Sequence, residues 1–164
     1  TLGVTATVKW PNDLLVDGRK LVGILCEART EGTQWAAVVG IGLNLRTPPA
    51  GWPSDVPGVA LDALVRQPTD PATLAEGLVH RLDRALPMLA TVSGRRRIMR
   101  DWMDYAVPIG TALRRGDQVG TFAGLAPDGA LRLQTDAGLQ VIHAGDIDLL
   151  TAPDTPNISN TYEG

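Results

Sequence analysis

The sequence holds a single cysteine, Cys26. No disulfide can therefore close within the chain, and a reducing, cytoplasmic setting is the expectation. Neither sign of charge dominates: 15 Lys and Arg face 18 Asp and Glu, a net charge of -3. That balance gives no electrostatic reason to expect nucleic acid or a membrane surface as partner. No apolar run approaches the roughly 20 residues that a membrane span needs. The opening Thr1-Leu2-Gly3-Val4-Thr5 lacks the charged and apolar blocks of a signal peptide. Histidine is confined to His80 and His143, neither with partners at ligand spacing, so no protein-built metal site is expected. Repeats and low-complexity segments are absent. Residue 1 is not methionine, and a longer parent protein is the expectation.

What is present is a chain of 164 residues, 44% apolar, enough for one medium domain or one plus a small appendage. Residues 4 to 46 read as β. Thr5 to Trp10 is enriched in β-branched and aromatic residues. Leu14-Leu15-Val16 then meets Asp17-Gly18, a two-residue hairpin signal. A return strand is expected over Leu21 to Ala28, a turn at Glu31-Gly32-Thr33, and a long strand over Trp35 to Leu45. The last lacks alternation, which predicts burial on both faces. Residues 46 to 58 hold four prolines and two glycines and read as a long, functional or mobile loop.

Asp70-Pro71 is a helix start, followed at helical spacing by Leu74, Leu78, Leu82, Ala85 and Leu89, with Pro87 expected to bend the helix or end it early. Gly94 is expected to precede a shorter helix with Ile98, Trp102 and Tyr105 as its apolar stripe. Arg95, Arg96 and Arg97 read as a solvated face, with an acidic or phosphate-bearing partner as the alternative. From Pro108 onward, short β-like stretches alternate with turns at Arg115-Gly116-Asp117, Ala126 to Gly129 and Asp136-Ala137-Gly138, the pattern of a small all-β unit. The expected divisions are 1–107, 108–151 and a disordered tail over 152–164.

Three blocks carry chemistry: Lys9-Trp10-Pro11-Asn12-Asp13, Arg19-Lys20-Leu21-Val22-Gly23-Ile24-Leu25-Cys26-Glu27 and Gly40-Ile41-Gly42-Leu43-Asn44. A two-residue turn at Asp17-Gly18 sets Leu15 against Lys20 and Asp13 against Val22. Asp13 and Lys20 then share a sheet face as diagonal neighbours. Alone, such a pair is an ordinary surface ion pair. Gly40, Gly42 and Asn44 alternate onto one face, and strand glycines mark either a bulge or close ligand approach. A regular strand sets Lys20 and Gly23 on opposite faces. Either a bulge intervenes or Gly23 contributes backbone only.

In this order and spacing, the three blocks resemble the second half of the catalytic domain of the biotin protein ligases. That family joins biotin to a lysine of a carrier domain through biotinyl-AMP. The resemblance implies an α/β (α+β) fold of the class-II synthetase type, a mixed sheet packed with helices, followed by a small SH3-like barrel. It implies Lys20 and Asp13 as catalytic residues, and Lys20, Gly23, Ile24, Leu25, Gly40 and Gly42 around biotin. Lys9, Asn12, Asn44, Trp52 and Arg114 match positions near the nucleotide. ATP and biotin are the implied substrates, with Mg2+ accompanying the nucleotide. A biotin carboxyl carrier protein is the implied partner, a homodimer is compatible, and no membrane enters.

Cys26 stands where relatives carry a small apolar residue and is expected buried and inert. The family's upstream Gly/Arg-rich loop has no counterpart here. The expectation is thus a C-terminal portion of a ligase, crippled by itself. A non-enzymatic paralogue that binds an acyl carrier and a lipoate or octanoyl ligase relative are the alternatives.

Overall fold

The computed structural model describes residues 2–32, 34–53, 57–67 and 70–150; the expected tail over 152–164 lies outside them. Two compact units meet between Ala106 and Val107.

The first unit is built on four antiparallel strands in sequence order: β1 (Thr7–Lys9), β2 (Asp13–Val16), β3 (Arg19–Glu31) and β4 (Gln34–Leu43). Asp17 and Gly18 both take positive φ, 50° and 73°. That turn matches the twist of the flanking strands. Val16 pairs with Arg19 and Leu15 with Lys20, as the turn predicts. The register then shifts, so that Leu14 meets Val22 and Asp13 meets Gly23 rather than Val22. Leu21 is the extra residue of this bulge.

The core shows why the bulge is favoured. Leu21 and Val22 are adjacent in sequence yet both buried, with Val16 and Val59, and Leu14, Ile24, Ile41 and Leu43 pack against them. A regular strand would turn one of the two to the other face. Burying a Leu side chain is worth about 2 kcal/mol, enough to outweigh a lost ladder bond of about 1 kcal/mol.

Both long strands depart from expectation. β3 begins at Arg19 and reaches Glu31; β4 stops at Leu43. Burial of the last strand on both faces is not found: Ala36 to Gly40 are exposed, with Val38 at 70%. In this chain the missing alternation leaves an apolar face open. Past Gly23, β3 has β4 as its strand neighbour, and the pair runs on as a ribbon.

After the core segment Val59–Leu61, helix α1 (Pro71–Ala85) starts as predicted, with the Asp70 side chain accepting from the Thr73 amide. Pro87 lies in a 3-10 turn over Leu86–Ala90 that closes it. Helix α2 (Val92–Tyr105) is capped by Thr91, whose hydroxyl accepts from the Gly94 amide. Gly94 therefore sits inside the first turn rather than ahead of the helix. A side chain there would meet the Met88 carbonyl carbon and the Thr91 hydroxyl, each at 2.8 Å. Ile98 and Trp102 are half-buried, but Tyr105 is 64% exposed and leaves the expected stripe. The arginine run is partly structural: Arg95 donates to the Leu89 carbonyl at 2.6 Å, and Arg97 pairs with Asp101.

The second unit is one antiparallel sheet of five strands: β5 (Ala112–Arg115), β6 (Gln118–Leu125), β7 (Leu131–Thr135), β8 (Gly138–Ile142) and β9 (Asp148–Leu149), in the order β8-β7-β6-β5-β9. Phe122, Leu113, Leu131 and Leu133 are its buried centre. Among the described residues, no helix is long and apolar enough to cross a membrane.

Candidate functional site

The bulge settles the parity question. With Leu21 extruded, the register runs straight across the sheet: Lys9 opposite Asp13, Asp13 opposite Gly23, Gly23 opposite Gly42. Directly paired residues share a face, so two glycines lie beside a carboxylate and a lysine. Lys20 joins the same face from the hairpin. Its ammonium lies 2.6 Å from Asp13 Oδ1, and that of Lys9 lies 3.2 Å from Asp13 Oδ2. Among the described residues, Asp13 is the buried charged side chain, and each of its oxygens holds one lysine. Two cations on one anion leave a net positive site that attracts phosphates and carboxylates.

Gly23 makes this arrangement possible. A methyl built on it would lie 3.1 Å from Lys20 Cε and 3.2 Å from Lys20 Nζ, so a side chain there would crowd the end of the lysine that pairs with Asp13. Gly40 and Gly42 differ. A methyl on either would meet only a backbone carbonyl oxygen at 3.7 Å, an ordinary contact. Packing does not demand glycine there; the lack of side chains keeps space open above the sheet. That space is an open cleft of about 470 Å³ over Asn12, Lys20, Gly23, Leu25, Gly40 and Gly42. Ile24 borders it but packs with Ile41 against the core cluster.

The two asparagines have structural work on their amide groups. Asn12 Nδ2 donates to the Ile24 carbonyl at 2.5 Å, while the Ile24 amide donates to the Asn12 carbonyl. Asn44 Nδ2 donates to the carbonyls of Lys20 and Val59, at 3.0 and 3.2 Å. Asn44 thereby staples a strap, residues 57–59, to the start of β3. Lys20 completes the attachment: its amide donates to the Pro57 carbonyl, and its carbonyl accepts from the Val59 amide. Behind the strap a second cleft of about 340 Å³ is lined by Lys20, Gly23, Gly42, Asn44, Trp52 and Gly58. Trp52, offered by its place in a Pro/Gly-rich loop, lines the same cleft as Lys20. The strap itself was not anticipated; Gly58 carries no local signal beyond its loop composition.

Another cavity of about 400 Å³ is lined by Leu45, Leu61, Val65, Arg46 and Arg66, with Asp62. Asp62 is engaged by the Thr47 amide and hydroxyl, so no carboxylate–lysine pair faces it. The chemistry lies at Asp13.

Comparisons with known proteins identify the family. The Biotin/lipoate A/B protein ligase family matches residues 2–44, and the Biotin protein ligase C terminal domain matches residues 111–150. The chain belongs to the biotin protein ligase family. It is 36% identical over 148 residues to a biotin–[acetyl-CoA-carboxylase] ligase of Paracoccus denitrificans, covering 85% of this chain and 61% of the relative. It is 32% identical over 154 residues to the bifunctional ligase/repressor BirA of Bacillus subtilis, covering 90% of this chain and 47% of that protein. The chain thus spans about half the length of the curated relatives it matches. In fold it is similar to the biotin protein ligase of Aquifex aeolicus, with a TM-score of 0.73, 20% identity and coverage of 91% and 67% of the two chains. The structure of that enzyme with biotin and ATP gives 0.71 at 20% identity, covering 91% and 63%.

Of the predicted residues, Asn12, Lys20, Gly23, Ile24, Leu25, Gly40, Gly42, Asn44 and Trp52 line the two clefts, and Asp13 and Lys9 are linked to them through the ion pairs with Lys20 and with each other. Arg114 belongs to the second unit, where it pairs with Asp148 at 3.5 Å. Cys26 is exposed, not buried; it lies on the ribbon past Gly23, where strand pairing covers edges but not faces. His143 pairs with Asp128 at 3.5 Å, and among the described residues no three metal-binding side chains gather.

Proposed function

We propose that this chain carries the lysine–aspartate part of an active site that activates biotin with ATP and passes it to a lysine of a biotin carboxyl carrier protein. The observation that supports this best is one buried carboxylate holding two lysines beside a row of glycines. In the first step a carboxylate oxygen of biotin forms a bond to the α-phosphorus, and the bond from that phosphorus to the bridging oxygen breaks. Pyrophosphate leaves. Lys20 offers a fixed ammonium where negative charge gathers, and fixed charge needs no reorganisation as the reaction proceeds. Lys9 adds a second cation on the same sheet row. The glycine floor takes biotin because nothing projects from it.

In the second step the carrier amine, protonated in neutral water, must lose a proton and attack the carbonyl of the anhydride, with AMP leaving. Asp13 already accepts from two ammonium groups, which favours orienting and holding the lysines over accepting that proton. Mg2+ would accompany the nucleotide as part of that substrate.

The test is pyrophosphate release by the full-length protein given biotin and ATP, followed by label transfer to a carrier domain. Lys20→Ala should slow release by ~10²- to 10³-fold, the usual loss for one charge-stabilising contact. Unchanged release would remove Lys20 from the chemistry. The matched family also takes in lipoate ligases. Activation of lipoate or octanoate in preference to biotin would redirect the reading to that branch, and no activation of any acid would favour a binding-only paralogue.

A further inference from the structure

Gly58 has an ordinary backbone angle, so its conformation does not require glycine. Its surroundings do. A methyl there would overlap Cε3 and Cδ2 of Trp52 and lie 2.7 Å from Cζ3. The indole therefore lies flat against the Gly58 backbone, in the space a side chain would occupy. Ring atoms are rigid, so a β-carbon could be accommodated only by moving the whole ring. The strap beneath the indole is itself bound to Lys20 at both the amide and the carbonyl, and to Asn44.

We propose that Gly58 is a positioning residue: by presenting bare backbone as a seat, it fixes the Trp52 ring in the same cleft as Lys20. The strap seats the ring on Gly58 and bonds the Lys20 backbone through Pro57 and Val59, so ring and lysine are placed by one short segment. The purpose of that seat, holding a flat aromatic face for the nucleotide base, rests on the function proposed above.

The full-length protein labelled with 5-fluorotryptophan tests this without any ligand. The chain has four tryptophans, and the Trp52 line is assigned by its loss in Trp52→Phe. In Gly58→Ala that line should shift while those of Trp10, Trp35 and Trp102 hold. An unmoved Trp52 line, or movement of all four, overturns the proposal. In activity, Gly58→Ala and Trp52→Ala should each raise the ATP KM roughly tenfold, the lower end of what base stacking supplies, with little change in kcat. The double variant should be no worse than Trp52→Ala alone, because a seat without a ring does nothing. Additive losses would place the effect of Gly58 elsewhere and overturn the proposal. If Gly58→Ala melts early, the double variant should recover the melting temperature of Trp52→Ala. Failure to recover assigns the glycine to the backbone and likewise overturns it. A shifted line with an unchanged ATP KM in both single variants would uphold the seat and reject the nucleotide reading of Trp52.

Discussion

Replacing Asp13 with Asn keeps the shape of the side chain and removes its charge, leaving Lys9 and Lys20 facing each other over an amide. Two limits bracket the cost. Exposed ion pairs contribute ~0.2–1 kcal/mol, whereas stripping one partner from a buried pair costs ~3–5 kcal/mol. Here the carboxylate side chain is 10% exposed, while Lys9 and Lys20 are 20% and 41% exposed. Both ammonium groups can partly rehydrate once released, so the loss falls between the limits, at about 2 kcal/mol. Urea unfolding of the full-length protein measures it. A cycle with Lys20→Met should return a coupling of about 1 kcal/mol between the two side chains. In catalysis, Asp13→Asn should slow biotinyl-AMP formation, the step the held lysines serve, at least as much as transfer to the carrier. An unfolding free energy within about 0.5 kcal/mol of wild type would refute the idea that Asp13 holds the lysines. Slowing confined to transfer would assign Asp13 to the carrier's proton instead of to the lysines.

Asn44→Ala removes both staples on the strap and should destabilise by ~1–3 kcal/mol, with faster amide exchange at Val59 as the local sign. Exchange there at the wild-type rate would deny the staple. The Asp70 carboxyl is held below the usual carboxylate range by the side-chain hydrogen bond from Thr73, with the Thr73 amide adding to it. Its folded-state value is the lower one, so its contribution is present above the unfolded value and is lost as pH falls. Helix α1 should therefore fray below about pH 4, and Asp70→Ala should abolish that step in a far-ultraviolet titration. The 164-residue chain expressed by itself exposes Leu25, Val38 and Val39 on the ribbon, and should self-associate and bind a hydrophobic dye. Leu25→Ser with Val38→Ser should reduce both; a dye-silent monomer would contradict the exposed apolar face.

Local signals were readable from the residues where a short stretch decides the conformation. Asp17-Gly18 specified its turn through two positive φ angles, Asp70-Pro71 its helix start, and Pro87 the end of that helix. The glycines at 116, 129 and 138 take positive φ where turns were expected. The three chemical blocks did converge on one face. What failed depends on distant neighbours. The one-residue bulge at Leu21 reverses parity for everything beyond it, and the gain that favours it comes partly from Val59, 38 positions away. Cys26 and β4 were expected buried because an apolar strand says only that its surface favours cover. Asn44 looked out of place at the end of an apolar strand; the structure gives the reason, since its amide bridges two carbonyls of the strap and β3.

The central claim is that the glycines beside Asp13 and Lys20 are empty in order to receive a ligand. Gly42→Val tests it most directly. The position has an ordinary strand backbone and only a 3.7 Å contact awaiting a β-carbon, and valine suits a strand, so the fold should keep its melting temperature. Calorimetric titration of the full-length variant with biotin, and with a non-hydrolysable biotinyl-AMP analogue, should show affinity falling about fivefold or more, since overpacking a site commonly costs ~1–3 kcal/mol. Wild-type affinity in a normally folded Gly42→Val protein would contradict the account, because the cleft above that glycine would then not be where the ligand lies.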